Sequence, residues 1–170
     1  MKAPLLKSVV PSLCLAAFAL WAPAALAADS ATGKLVAGGK SVDLAHAYAY
    51  AEKTSEGKDA VIVLLTDTAV PPAAVQDSYA RQKLVRAGTL HYVELFIASG
   101  KQIHYEVQHQ RFGMMMQPGG DDSEHILEIK AGGKTIAGHA RTTGAQKSVD
   151  DVPYSYDATF TAAVAAAKPQ

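Results

Sequence analysis

Cysteine is almost missing from this chain. Cys14 is the only one in 170 residues, and it lies in the first 27. A mature chain without it has no disulfide, no thiolate nucleophile and no cysteine metal cluster, so packing alone must hold the fold. An excess of one charge is missing too. Lys and Arg number 16, as do Asp and Glu, and no basic run breaks the balance. That argues against nucleic acid or an anionic membrane surface as partner. Two chemical signatures are also absent. No G-x-S-x-G elbow occurs, and Ser55-Glu56-Gly57-Lys58 matches S-x-x-K only by letters, in a loop with no helix to position the lysine. The two GGK[ST] stretches lack the first glycine of a phosphate-binding loop, because Lys34 and Glu128 stand in its place. Both lie between strands and read as hairpin turns.

What is present begins with an export signal. Lys2 and Lys7 form a positive start, Val9 to Leu20 an apolar stretch, and Ala25-Leu26-Ala27 a small-residue cleavage site. The mature chain is expected to start at Ala28, in the periplasm or outside the cell. Pro11 and Pro23 interrupt the apolar run and no stop-transfer flank follows, so a membrane anchor is disfavoured. Loss of Lys2 and Lys7 takes the 16 basic side chains to 14 against 16 acidic, a net charge of −2. Residues 28–32 read as a flexible lead, 33–164 as one domain with room for a core, and 165–170 as a disordered tail.

Within the domain the dominant period is two. Gly33 to Ala37 and Lys40 to Ala51 read as strands about Gly38-Gly39, the second carrying Val42, Leu44, His46, Tyr48 and Tyr50 on one face. Ala60 to Asp67 is a continuous apolar run ending in Thr-Asp, expected as a central strand buried on both faces. Pro71-Pro72 opens one helix over residues 72–87, with Val75, Tyr79, Leu84 and Val85 as its apolar stripe. Two hairpins then flank a methionine-containing loop. In the first, a three-residue turn Ala98-Ser99-Gly100 pairs Leu95 with Ile103 and Val93 with Tyr105. The second turns at Gly132-Gly133, with His125, Leu127 and Ile129 on the face of Ile136, Gly138 and Ala140. Tyr154 to Val164 closes the domain, with Tyr154, Tyr156, Ala158, Phe160, Ala162 and Val164 inward. The expected fold is an all-β, immunoglobulin-like antiparallel β-sandwich with one inserted helix.

Four short patterns carry a resemblance. They are Gly33-Lys34-Leu35 followed by Gly39-Lys40-x-Val42-x-Leu44-x-His46-Ala47-Tyr48-Ala49, then I-V-x-L-x-D (62–67), L-H-x-V-E (90–94) and Y-D-A-T-F (156–160). On these the chain resembles a group of small secreted bacterial β-sandwich proteins to which no activity attaches. The resemblance implies an exported all-β domain and carries over no catalytic residue. Met114 to Met116 lie outside the shared pattern.

Three functions compete. His91 starts its strand, His109 ends the next and His125 starts the one after, so an antiparallel meander would gather them at one end of the sheet. Met114, Met115 and Met116 lie in the loop between. Imidazoles and thioethers together would suit copper, with thioethers favouring Cu(I). Asp121, Asp122 and Glu124 add hard donors nearby. A hydrolase is the weakest reading: His104, Glu106 and the nearly opposite Glu94 share a strand face, but no nucleophile and oxyanion donor join them. The leading reading is a non-enzymatic binding or accessory protein taking a protein or small ligand on the loop surface, where methionines adapt to partners of varied shape.

Overall fold

The computed structural model describes residues 29–99, 101–112, 117–118, 124–132 and 134–167, and it is all-β, as expected. In chain order the strands and helices are β1 (Ser30–Ala37), β2 (Lys40–Leu44), β3 (His46–Lys53), β4 (Asp59–Thr66), α1 (Pro72–Val75), α2 (Ser78–Arg86), β5 (Tyr92–Ala98) and β6 (Lys101–Gln108). A 3-10 turn at Gln110–Phe112 follows. Then come β7 (Gln117–Pro118), β8 (His125–Gly132), β9 (Thr135–Thr142), β10 (Gln146–Lys147) and β11 (Pro153–Ala165). One layer runs β2-β1-β11-β9-β8, with β10 also on β11, and the other runs β3-β4-β5-β6-β7. Their inward residues share one core, from Leu35, Ala158 and Phe160 on one side to Val63, Leu95 and Val107 on the other.

The layers are joined through β11. Pairing is antiparallel except where the 13-residue β11 runs on beyond β9 and lays Val164 and Ala165 parallel to Ala49 and Tyr50 of β3. Residues 30–32 are not a flexible lead. They extend β1 along β11, and Asp29 Oδ1 accepts from Ala163 N at 2.7 Å.

The stretch from Lys40 to Ala51 is two strands rather than one. β2 pairs with β1 in the first layer, β3 pairs with β4 in the second, and Ala45 is the crossing point. The step shifts the pattern by one residue, so Leu44 and then Ala47 and Ala49 face the core, while Tyr48 faces outward. Alternation along the sequence passes through Ala45 unbroken, which is why one inward face was expected. Tyr48 instead accepts Val70 N at 2.9 Å and pins the approach to α1.

β4 is central, as its composition requires. Val63 and Leu65 enter the main core, and Leu64 enters a second one beneath the helices with Val70, Ala74, Val85, Leu90 and Tyr92. The expected single helix is split at Asp77, whose extended backbone and side chain cap α2 by accepting from Ala80 N at 3.0 Å. Tyr79 is 63% exposed, not part of the stripe; Arg81, two residues on and nearly opposite it on the helix, is buried.

The β5–β6 register sits two residues from the expected one. Ala98 pairs with Lys101, so the turn has two residues, with Ser99 at φ 53°, and a bulge past Phe96 absorbs Ile103. The bulge restores the parity that a two-residue turn would otherwise lose. Leu95 therefore meets Tyr105 and Val93 meets Val107. In β8–β9 the inward faces are as expected, with the turn one residue later, after Gly132 pairs with Thr135.

Candidate functional site

The shifted register decides which histidines meet. Continuing the β5–β6 ladder one step past Tyr92–Gln108 sets His91 directly opposite His109, and their ring centroids lie 4.4 Å apart at 33°. β4 adds a third member. It ends with Thr66 opposite Tyr92, so the next residue, Asp67, comes opposite His91. Asp67 Oδ1 accepts the His91 backbone N–H at 2.8 Å, and Oδ2 lies 2.6 Å from His91 Nδ1. Burial pushes the Asp67 carboxyl up, but the hydrogen bonds from His91 outweigh it and hold the group below the usual carboxylate range.

This contact fixes the His91 ring. Nδ1 carries the hydrogen given to Asp67, so in the neutral imidazole the lone pair is on Nε2. His91 is 6% exposed, and its Nε2 is buried with no hydrogen-bond partner among the described residues. His109 is held the other way round: the Arg111 backbone N–H donates to its Nδ1 at 3.1 Å, which leaves the hydrogen on Nε2. Burial, His91 and Arg111 push its pKa down to about 4. His109 and the 3-10 turn line a surface depression with Lys40, Ser41 and Val42.

His125 does not join this pair. β8 pairs with β9 in the opposite layer instead of continuing the meander from β6. His125 stacks on Tyr105 at 3.4 Å between centroids, and its Nδ1 lies 2.8 Å from the Tyr156 hydroxyl. Tyr105 is four residues from His109 on one strand, about 13 Å along it. Burial pushes the pKa of His125 down to about 4, and its Nε2 has no partner among the described residues. Met114, Met115 and Met116 lie outside the described residues, as do Asp121 and Asp122. Among the described residues no three His, Cys, Asp or Glu side chains gather as a metal ion would require.

The carboxylates form a separate cluster on the outer face of the second layer, beneath α2. Glu94 and Glu106 are direct cross-strand partners, while His104 sits opposite Phe96, exposed. Arg81 pairs with Glu94 and donates to the Val75 carbonyl at 2.5 Å. Tyr92 and Gln108 donate to Glu106 Oε1 at 2.6 and 3.0 Å. Burial raises the Glu94 pKa to about 7 against the pull of Arg81, with Glu106 adding to the rise. These polar contacts tie the side chains to one another and to the α1 carbonyl of Val75, which suits a latch between the helices and the sheet.

Asp67 and Arg81 were missed from sequence. The pairing of I-V-x-L-x-D with L-H-x-V-E could have exposed Asp67, since the two motifs are adjacent antiparallel strands. A charged residue on a short helix gives no sign that it faces inward. Among the described residues no helix is long and apolar enough to cross a membrane. Set against protein-family models, curated proteins and solved structures, the chain matches none.

Proposed function

We propose that the protein is an exported, non-catalytic binding or accessory protein that takes its ligand at the end of the sandwich where Asp67, His91 and His109 meet. One observation carries this reading: the Nε2 atom of His91 is buried without a partner among the described residues while Asp67 locks the ring. A buried polar atom left unpaired costs about 1–3 kcal/mol, and a ligand that pairs with it recovers that cost. The adjoining depression, lined partly by His109, Gln110 and Arg111, supplies an approach.

A second reading, copper binding, is favoured by the same atom. Carboxylate-to-imidazole hydrogen bonds orient histidines that hold metals, and they leave the distal nitrogen free to coordinate. His91 then leads the donor set, with thioethers from Met114, Met115 and Met116 favouring Cu(I). His109 contributes only after its Nδ1 gives up Arg111. His125 drops out, because it lies on the other layer against Tyr105.

Native mass spectrometry of the protein isolated from the exported fraction tests both readings, before and after addition of copper or zinc. Either a co-purifying ligand or a one-to-one metal adduct should be present in the wild type and in His125→Ala, and lost in His91→Ala. Replacing the three methionines by leucine should remove Cu(I) and spare zinc. Adducts that are absent, or equal in the wild type and His91→Ala, would refute the site.

A further inference from the structure

Among the described residues β8 has one neighbour, β9, and the backbone of its other edge pairs with none of them. Which groups it presents follows from one bond beyond the ladder. Thr143 N donates to Glu124 O at 2.9 Å, and that pair continues the β8–β9 register. Bonded pairs alternate along an antiparallel ladder. Ile126, Glu128 and Lys130 therefore point their N–H and C=O groups at β9, and His125, Leu127 and Ile129 point theirs away. Side chains alternate too: Leu127 and Ile129 pack on the core, whereas Glu128 and Lys130 are exposed on the outer face.

We propose that this edge pairs with the β8 edge of a second copy, antiparallel about a two-fold axis at Ile129. Three constraints favour that register over those centred on its neighbours Glu128 and Lys130. Only residues of equal parity can stand opposite each other, or core-facing side chains would meet the outer face. The free backbone groups belong to the odd-numbered residues, so Ile129 must meet Ile129 or an odd-numbered neighbour of the partner. Of the even shifts, centring on Glu128 sets two glutamates opposite, and centring on Lys130 sets two lysines opposite. Centring on Ile129 places Glu128 against Lys130 of the partner, twice per dimer. Like charges opposite one another destabilise a strand pair and unlike charges favour it. β2, a far edge of the same layer, has no such self-match, because Lys40 and Asp43 differ in parity.

The test is sedimentation equilibrium of the mature chain from micromolar to several hundred micromolar. The wild type should show a monomer–dimer equilibrium. Glu128→Lys and Lys130→Glu, separately, should each weaken the dimer about tenfold or more with unchanged far-UV circular dichroism. An equimolar mixture of the two variants should dimerise again, since each lysine then meets a glutamate. Ile129→Pro, which removes an N–H that points away from β9, should abolish the dimer. A wild type monomeric across the range would overturn the proposal, as would single variants that associate like the wild type. So would a mixture no tighter than its components.

Discussion

Lowering the pH should unfold this protein through two neutral histidines. His109 and His125 are buried, and both are held at about 4 instead of 6.5. Between those values the unfolded chain binds protons that the folded chain refuses. The stabilisation is therefore complete above pH 6.5 and lost as pH falls towards 4. Each shift is worth roughly 3 kcal/mol, a large share of an ordinary domain's 5–15 kcal/mol. Glu94 works against this trend, because its raised pKa favours the folded state at low pH and loses that contribution as pH rises from 4.5 to about 7. A wild-type profile alone thus mixes opposite slopes. The clean measurement is the stability difference between the wild type and His125→Phe, which keeps an aromatic ring over Tyr105 and removes the titrating group. Urea unfolding followed by far-UV circular dichroism at several pH values from 7.5 to 4 supplies it. The wild type's advantage should shrink by up to about 3 kcal/mol across that range, with the denaturant slope unchanged. A difference independent of pH would refute the reasoning.

Further outcomes follow from packing and charge. Arg81→Met strips Glu94 of its buried partner and should cost about 3–5 kcal/mol at pH 8, but distinctly less at pH 5, where Glu94 takes up a proton; calorimetry at the two pH values checks this. Gly33→Ala would place a methyl 2.1 Å from the Asp157 carbonyl oxygen and 2.4 Å from Ala158 Cα. Backbone cannot yield there, so the loss should be about 3 kcal/mol or more, read as a fall in melting temperature. Leu95→Ala should cost about 2–5 kcal/mol, whereas Tyr79→Ala should stay within about 0.5 kcal/mol, both by urea midpoint.

Much of this was legible in local pattern. β4 announced itself because a strand covered on both faces has no polar positions, and β11 because every second residue from Tyr154 to Ala162 is inward. What escaped was decided over distance. Nothing at Ala45 interrupts the alternation, so the change of layer shows only once β2 and β3 have different partners. The bulge at Ile103 moved His91 from beside Val107 to opposite His109, a shift that parity cannot reveal. His125 was placed by assuming that successive strands are neighbours, an assumption that the β8–β9 hairpin breaks by crossing to the other layer. Arg81 escaped because its burial depends on a carboxylate delivered by β5.

β11 bonds to β1, β9, β10 and β3, and this last strand sets the order in which the molecule can assemble. Ser30 pairs with Thr161, so the first strand waits for nearly the whole chain before its main partner exists. Contacts so far apart in sequence place folding in the millisecond-to-second range of non-local β topologies rather than the microseconds of helical bundles. Until β11 arrives, β1 and β9 are open edges with exposed apolar faces, the condition in which partly made β proteins aggregate. A chain shortened at its C-terminus would lose the seam between its layers, not merely a peripheral strand. The arrival of β11, more than any local signal, commits this domain to its fold.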